Sequence, residues 1–455
     1  MHDRGFRGLR GRPDTMVAAA PTAAEDAVWK APPAWLPPTL HALAYRDFLL
    51  LWLAQLSNSL ALWMEQVARP ILVLVFTGSS VHLGLVVAAR GLPQLFMGPL
   101  AGVVADRIDR RVVLLTTKTL GTTVYFIFAL LILAESLELW HIYVTAVIKS
   151  MLNAFDGPAR HALVPNLVPP RLLVNAVAIN TGSMQLIRVG AASIAGFAIA
   201  LIGMGGTFLI IAVCSAVAVT LTYLMRVPAW ARLGRSGASW GRSLLDGLAF
   251  AWREKAIFAI LVLLAFHSMF GTPYLSVFVP LLAFQFLDFS FLGAFGLEGR
   301  KAQEVGLGLF LSASSGGALL GALLIATIGS RLRRRGLIIL AGLTLYGTAI
   351  AAVALSSLSG VVALPFLFVG AVGVGQSLLL PVKNAIILDL TPNEIRGRVM
   401  SLQSLDRGLT TLGSSGGGFL AAAIGAPFGM ALYGAAVAVA AVGVGLLLPA
   451  LRRVD

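Results

Sequence analysis

Long apolar runs alternate along the chain with short polar stretches. A helix needs about 20 consecutive apolar residues to cross the hydrocarbon core of a bilayer, and twelve runs meet that length. They cover approximately residues 47–75, 82–105, 111–134, 139–160, 174–203, 206–227, 256–284, 303–328, 336–358, 361–388, 398–424 and 428–451. The pattern predicts an all-α membrane protein with twelve transmembrane helices.

The stretches that follow the even-numbered runs are rich in arginine, as at Arg107, Arg226 and Arg331, whereas those after the odd-numbered runs carry few basic residues. Short cytoplasmic loops of membrane proteins carry an excess of Lys and Arg. We therefore expect a multi-pass protein of a bacterial-type inner membrane, with both termini in the cytoplasm.

Composition supports a chain that is largely surrounded by lipid. Of its 455 residues, 58% are hydrophobic and 12% are charged, about half the charged fraction of an ordinary soluble domain. A net charge of +14 would suit nucleic-acid binding, but its concentration in short loops favours a topological role instead. The single cysteine, Cys214, lies in an apolar run, so neither an internal disulfide nor a metal cluster is expected.

The longest stretch between runs divides the predicted helices into two groups of six. Before the first group lies a segment rich in Arg and Pro without a signal-peptide pattern, which we expect to be disordered. The predicted organisation is a cytoplasmic tail at residues 1–40, an N-terminal six-helix bundle at 41–227, a cytoplasmic linker at 228–255 and a C-terminal six-helix bundle at 256–455.

The two predicted halves repeat each other weakly. An offset of 224 aligns Gly84 with Gly308 and places Arg107, Arg110 and Arg111 on a second arginine cluster at 331–335. An offset of 223 aligns Pro158 with Pro381. Nearly equal offsets along separate stretches indicate parallel repeats related by an axis along the membrane normal, with a substrate site between them.

Charged residues inside the predicted spans are the main site candidates, because ionisable groups within a membrane are rare and usually functional. Glu65 is the one acid among four cations at similar depth, and we expect it to carry a proton while the surplus positive charge suits an anionic or hydrogen-bond-rich substrate. The expected cavity residues are Glu65, Arg69, Arg90, Lys149, Arg188, Gln55, Asn58 and Gln185. The alternative is that Glu65 and Arg69, four residues apart on one helix face, only neutralise each other, while Arg90 extends to the membrane surface.

The stretch at 102–111, between the second and third runs, contains Gly102, Asp106, Arg107, Arg110 and Arg111. It resembles the signature loop of the major facilitator superfamily, Gly-x-x-x-Asp-Arg-x-x-Arg-Arg. Segments 157–165 and 396–401 are similar to the enterobactin-exporter and macrolide-efflux branch. The resemblance implies alternating access, export of a small molecule driven by the proton gradient, and a cytoplasmic gate in which Asp106 contacts the start of the eleventh helix. The expected gate residues are Gly102, Asp106, Arg107, Arg110, Arg111 and Arg398.

Two other functions remain open from the sequence. A proton-coupled importer of a small anion would use the same parts, and an integral-membrane enzyme would need a cluster of His, Asp and Glu that the chain does not display. We expect a monomer in the lipid bilayer that binds a small-molecule substrate and protons, without a cofactor, a metal or nucleic acid.

Overall fold

The computed structural model describes residues 32–33, 35–226, 248–328, 334–391 and 405–452, and all regular secondary structure in those residues is helical. The helix Leu173–Leu224 is broken at Gly203, where φ is +73°, a conformation that glycine adopts without steric cost. We therefore divide it into α5 (173–202) and α6 (204–224). The other long helices are α1 (Arg46–Thr77), α2 (Ser80–Arg107), α3 (Arg110–Leu133), α4 (Leu139–Leu163), α7 (Lys255–Gln285), α8 (Gly299–Ile328), α9 (Arg335–Ser356), α10 (Ala363–Leu390), α11 (Leu405–Ile424) and α12 (Ala426–Leu447).

These helices coincide with the predicted apolar runs, mostly to within a few residues at each end. Within the described residues, eight helical segments are long and apolar enough to cross a membrane. They are α1, α3, Gly190–Leu224, α7, Gly299–Ile325, α9, Ala363–Asn384 and α12. The prediction of an all-α membrane protein is confirmed, whereas the count of twelve spans and the division into halves stay predictions. Helices outside the eight include α2 and α4, which contain the charged residues Arg90, Lys149 and Asp156.

Much of the predicted tail and linker lies outside the described residues. Where description begins, Pro38–Ala44 forms a 3-10 helix. The side-chain oxygen of Asn175 accepts a hydrogen bond from the Ala42 amide at 3.1 Å, and its nitrogen donates to the Thr39 carbonyl at 2.7 Å. These bonds fasten the segment before α1 to the first turn of α5.

Glycines bring several pairs of helices into backbone contact, and two of these contacts join the predicted N-terminal and C-terminal halves. A Cβ atom on Gly418 of α11 would lie 2.9 Å from the Cα atom of Gly84 of α2, and one on Gly196 of α5 would lie 3.1 Å from the Cα atom of Gly308 of α8. Small residues permit such approach between membrane helices. Both crossings lie at the end of the bundle where α1 ends and α2 begins, and they close that end.

Helix α7 contains two π-helical segments, His267–Gly271 and Tyr274–Phe278. Such segments are uncommon within α-helices and are often found at functional sites. The half-buried His267 packs against Tyr346 of α9, with ring centroids 5.0 Å apart. His267 is therefore a packing residue in this conformation rather than part of the cavity wall described below.

Candidate functional site

A cavity of about 550 Å³ lies between α1, α2, α4, α5, α7, α8 and α11. Pockets for small molecules commonly measure about 300–1,000 Å³. Its polar wall is formed by Gln55, Asn58, Gln66, Arg90, Gln94, Asn153, Asp156, Arg160, Arg188, Thr272, Ser276, Ser314, Ser315, Asp406, Thr410 and Thr411. The cavity therefore offers a small molecule both charged groups and neutral hydrogen-bonding groups.

The cavity extends unequally toward the two ends of the bundle. It reaches Asp406 in the first turn of α11 and Arg160, three residues before the end of α4. At the opposite end its wall stops at Pro70 and Val87, about two turns short of the end of α1 and the start of α2. The bundle is thus more open at the end where α4 ends and α11 begins.

Glu65 is completely buried and lies behind the wall rather than in it. Its carboxylate accepts hydrogen bonds from the Arg69 Nε atom at 2.8 Å and from the Tyr125 hydroxyl at 2.6 Å. An Arg90 guanidinium nitrogen approaches the same carboxylate to 3.8 Å. A buried charge needs such partners to be tolerated, and here three helices supply them.

The cations around Glu65 have further contacts of their own. Arg69 also donates to the Ile142 carbonyl and the Thr145 hydroxyl, both at 3.0 Å, which adds α4 to the network. The Lys149 ammonium lies 4.0 Å from the centroid of the Tyr125 ring, a favourable cation–π distance. Arg69 and Lys149 are buried outside the cavity wall, so the interior cluster stabilises α1 to α4 as a group.

Arg90 joins this interior cluster to the cavity. It lines the cavity and donates to the Gln66 side-chain oxygen at 3.2 Å, while Ser150 of α4 donates to its backbone carbonyl. The side chain faces the interior, not the membrane surface. Arg90 is the contact between the cavity and the buried Glu65.

Sequence reasoning missed a second charged cluster. Asp156 of α4 lies 2.8 Å from the Lys118 ammonium of α3 and 3.7 Å from the Arg160 guanidinium. Asp156 and Arg160 line the cavity, and Lys118 is buried behind them. These residues fall near the polar ends of their apolar runs, where charge predicts a loop as readily as a site.

Asp406 of α11 was also missed. It lines the cavity and accepts a hydrogen bond from the Ser268 hydroxyl of α7. Lys383 of α10 is near enough to interact electrostatically with this carboxylate. The C-terminal helices therefore contribute an acid and a cation of their own near the cavity.

Arg188 of α5 lies in the wall, half-buried. One of its terminal nitrogens donates to the side-chain oxygen of Gln376 on α10 at 2.9 Å. Its guanidinium carbon lies 5.4 Å from the centroid of the Trp63 ring of α1. Arg188 thus connects α1, α5 and α10 without contacting the Glu65 network.

The remaining predicted residues are placed as follows. Gln55 is buried, lines the cavity and donates to the Ser59 hydroxyl at 3.1 Å, and Asn58 lies in the wall as well. Gln185 lies on α5, but its side chain is outside the description. Four of the eight predicted cavity residues therefore line the cavity, namely Gln55, Asn58, Arg90 and Arg188.

The predicted gate is described only in part. Gly102, Asp106 and Arg107 occupy the last two turns of α2, and their side chains are outside the description, as is the whole of Arg398. Arg110 begins α3. The Asp109 carboxylate caps that helix by accepting from the Arg111 amide at 2.9 Å, and the Arg111 guanidinium donates to the Tyr223 carbonyl at the end of α6 at 2.5 Å.

Comparison with known proteins relates this architecture to membrane transporters. The chain matches the family described as transmembrane secretion effector over residues 38–455. The macrolide efflux protein A of Streptococcus pyogenes is 22% identical over 360 residues, which is 78% of this chain and 84% of that protein. The staphyloferrin A transporter of Staphylococcus aureus is 28% identical over 160 residues, which is 35% of this chain and 40% of that protein.

A solved structure shares the fold. A POT family transporter in complex with a thioalcohol-conjugated peptide superposes with a TM-score of 0.71 at 14% identity, covering 89% of this chain and 96% of that one.

Proposed function

Because the chain belongs to the transmembrane secretion effector family of major facilitator superfamily transporters, we propose that it is a proton-coupled exporter of a small molecule. Transport proceeds by alternating access between two six-helix halves in a bacterial plasma membrane, with both termini in the cytoplasm. The observation that carries the proposal is the charged cavity between the helices, which reaches one end of the bundle and is closed at the other.

The predicted orientation in the membrane assigns the open end of the cavity to the cytoplasmic side. The arginine-rich stretches predict that α4 ends and α11 begins on the cytoplasmic side. The cavity then extends toward the cytoplasm, and the glycine crossings form the outer closure. Such a conformation accepts substrate from inside the cell, as an exporter requires at the start of its cycle.

Proton coupling requires a carboxylate that changes its protonation between the two conformations. Glu65 is the first candidate, because Arg90 connects it to the cavity. Asp156 is the second, because it lines the cavity directly while paired with Lys118. In either case proton uptake frees a cation that then binds or releases substrate.

The cytoplasmic gate is proposed to comprise Gly102, Asp106, Arg107, Arg110, Arg111 and Arg398. In the outward-open conformation, Asp106 contacts the start of α11, where backbone N–H groups carry partial positive charge. That contact breaks when the cytoplasmic side opens, which makes it a two-state element.

The test is transport by the purified full chain in proteoliposomes with an imposed pH gradient. Erythromycin and staphyloferrin A serve as probes, since related proteins are named for a macrolide and a siderophore. Accumulation in the acidic compartment against the probe's gradient, abolished by collapse of the pH gradient, supports proton-coupled antiport. Transport that follows the proton in the same direction would identify an importer and overturn the proposed direction.

The coupling residue is identified by counterflow measurements. Glu65→Gln or Asp156→Asn should retain exchange of labelled for unlabelled probe while losing gradient-driven accumulation. Full accumulation by both variants would remove these two acids from the coupling mechanism.

The gate is tested on a background without cysteine, which needs only Cys214→Ala. Single cysteines introduced on the cavity wall report which side a membrane-impermeant maleimide reaches. Asp106→Asn should increase labelling from the cytoplasmic side, with Asp288→Asn as the matched control at an exposed acid between α7 and α8. Unchanged labelling would contradict the gate.

A further inference from the structure

Arg188 differs from the other cations that line the cavity. Arg90 is paired with Glu65 at 3.8 Å, and Arg160 with Asp156 at 3.7 Å. Among the ion pairs of the described residues, none includes Arg188. Its described hydrogen-bond partner is the neutral amide of Gln376.

Two acids near the cavity are already paired with cations. Asp156 lies between Lys118 and Arg160, and Glu65 between Arg69 and Arg90, while Asp406 accepts a hydrogen bond from Ser268. A cationic ligand would therefore have to compete with a protein cation for the carboxylate of Glu65 or Asp156. An anionic ligand would instead meet Arg188, whose guanidinium forms no ion pair with the described residues.

The chemistry of Arg188 selects the kind of anion. A guanidinium has five N–H donors in a planar fork that matches a carboxylate with two parallel hydrogen bonds. The bond to Gln376 uses one of these donors. Because charged hydrogen bonds are about twice as strong as neutral ones, a ligand carboxylate displaces the Gln376 amide.

The rest of the wall favours oxygen-rich ligands. Asn58, Asn153, Ser314 and Thr411 line the cavity with neutral amides and hydroxyls. These groups donate to hydroxyl, carbonyl and carboxylate oxygens. Trp63, which lies against Arg188, also forms part of the wall.

We propose that the transported substrate is a hydroxylated organic carboxylate, and that its carboxylate binds Arg188 by replacing Gln376. This inference rests on the proposed transport function and specifies its substrate class. Because the Arg188–Gln376 bond joins α5 to α10, substrate binding also releases a link between the two predicted halves. Substrate binding at Arg188 thereby weakens the contact between α5 and α10, which must separate during transport.

Binding is tested with citrate, a hydroxylated tricarboxylate, on the full chain in nanodiscs. Trimethyl citrate is the uncharged match, and erythromycin supplies a cation. Trp63 lies beside the proposed carboxylate site, so citrate should change tryptophan fluorescence by an amount that Trp63→Phe removes. Citrate should bind, whereas trimethyl citrate and erythromycin should not compete with it.

Variants separate binding from folding. Arg188→Gln should weaken citrate binding about 10- to 100-fold, the equivalent of a charged hydrogen bond, and Arg188→Lys should weaken it less. Gln376→Leu removes the competing amide and should tighten binding about two- to tenfold. Arg171→Gln, at an exposed position between α4 and α5, should bind as the wild type does, and near-wild-type melting temperatures should accompany all four variants.

Several results would overturn the inference. Citrate affinity unchanged in Arg188→Gln, weaker binding in Gln376→Leu, or erythromycin binding without citrate binding would each do so. Gradient-driven erythromycin transport without citrate binding would support the proposed export function and contradict the proposed carboxylate substrate. Arg188-dependent citrate binding without any gradient-driven transport would support the proposed carboxylate site and contradict the proposed export function.

Discussion

Gly84 of α2 and Gly418 of α11 lie in direct backbone contact, since a Cβ atom added to Gly418 would approach the Gly84 Cα atom to 2.9 Å. Gly308, which the 224-residue offset aligns with Gly84, makes the corresponding contact with Gly196 of α5. The sequence repeat is thus matched by a repeated helix crossing. We expect both crossings to stabilise the closed end of the bundle.

Substituting Gly418 should therefore destabilise this conformation. In Gly418→Ala the new methyl group would lie 2.7 Å from the Ser80 carbonyl oxygen, and since backbone must move, the cost should be about 1–3 kcal/mol. Thermal unfolding of the purified protein measures it. Gly182→Ala is the matched control, with no atom within 4 Å of its Cβ position; equal melting temperatures for the two variants would contradict the close contact.

Loss of the Glu65 charge should be more costly than loss of one of its hydrogen bonds. Glu65→Gln leaves Arg69 buried without its counter-charge, which we expect to cost about 3–5 kcal/mol. Tyr125→Phe removes only the hydroxyl that donates to Glu65, at about 1.5–3 kcal/mol. Chemical denaturation in detergent should rank the variants in this order, and the reverse order would show that the Arg69 pair is not the dominant contact.

The Lys118–Asp156 pair should behave as a coupled unit. Asp156→Asn and Lys118→Met each break the 2.8 Å contact. The double variant should therefore lose less stability than the sum of the losses in the two single variants. The expected coupling energy is about 0.5–3 kcal/mol. A double-mutant cycle on unfolding free energy measures it, and strict additivity would show that the contact contributes nothing.

The start of α3 offers a smaller and separable effect. Asp109→Ala removes the side chain that accepts from the Arg111 amide and should cost about 0.5–2 kcal/mol. Asp109→Asn preserves a capping oxygen and should cost little. If both variants lose the same stability, the charge of Asp109 matters more than its capping bond.

The positions of the helices could be predicted from the sequence because lipid imposes a minimum length of apolar residues. The transporter family and the absence of an enzymatic role are confirmed by the family match. The loop at 102–111 carried the resemblance because its residues have a fixed spacing. Residues 1–31, most of the predicted linker and Arg398 lie outside the described structure, and the predictions made for them stay predictions.

Contacts between helices were less predictable. The Glu65–Arg69 bond follows from a spacing of four on one helix, but nothing in an apolar run indicates that Tyr125 donates to the same carboxylate. Arg188 was expected near Glu65 because of its depth, and it contacts Gln376 of α10 instead. Depth follows from counting residues, whereas the direction a side chain faces depends on how helices rotate against their neighbours.

The Glu65–Arg69 bond also has a consequence for biosynthesis. Helix α1 is synthesised before α2 and α3, so it enters the membrane before Arg90 and Tyr125 are available. Each isolated charge at the centre of a helix costs about 2.5–3.5 kcal/mol during insertion. A carboxylate and a guanidinium 2.8 Å apart on the same helix neutralise each other before any other helix has been inserted. Helix α1 therefore carries its own counter-ion into the bilayer, and α2, α3 and α4 add their contacts to this pair afterwards.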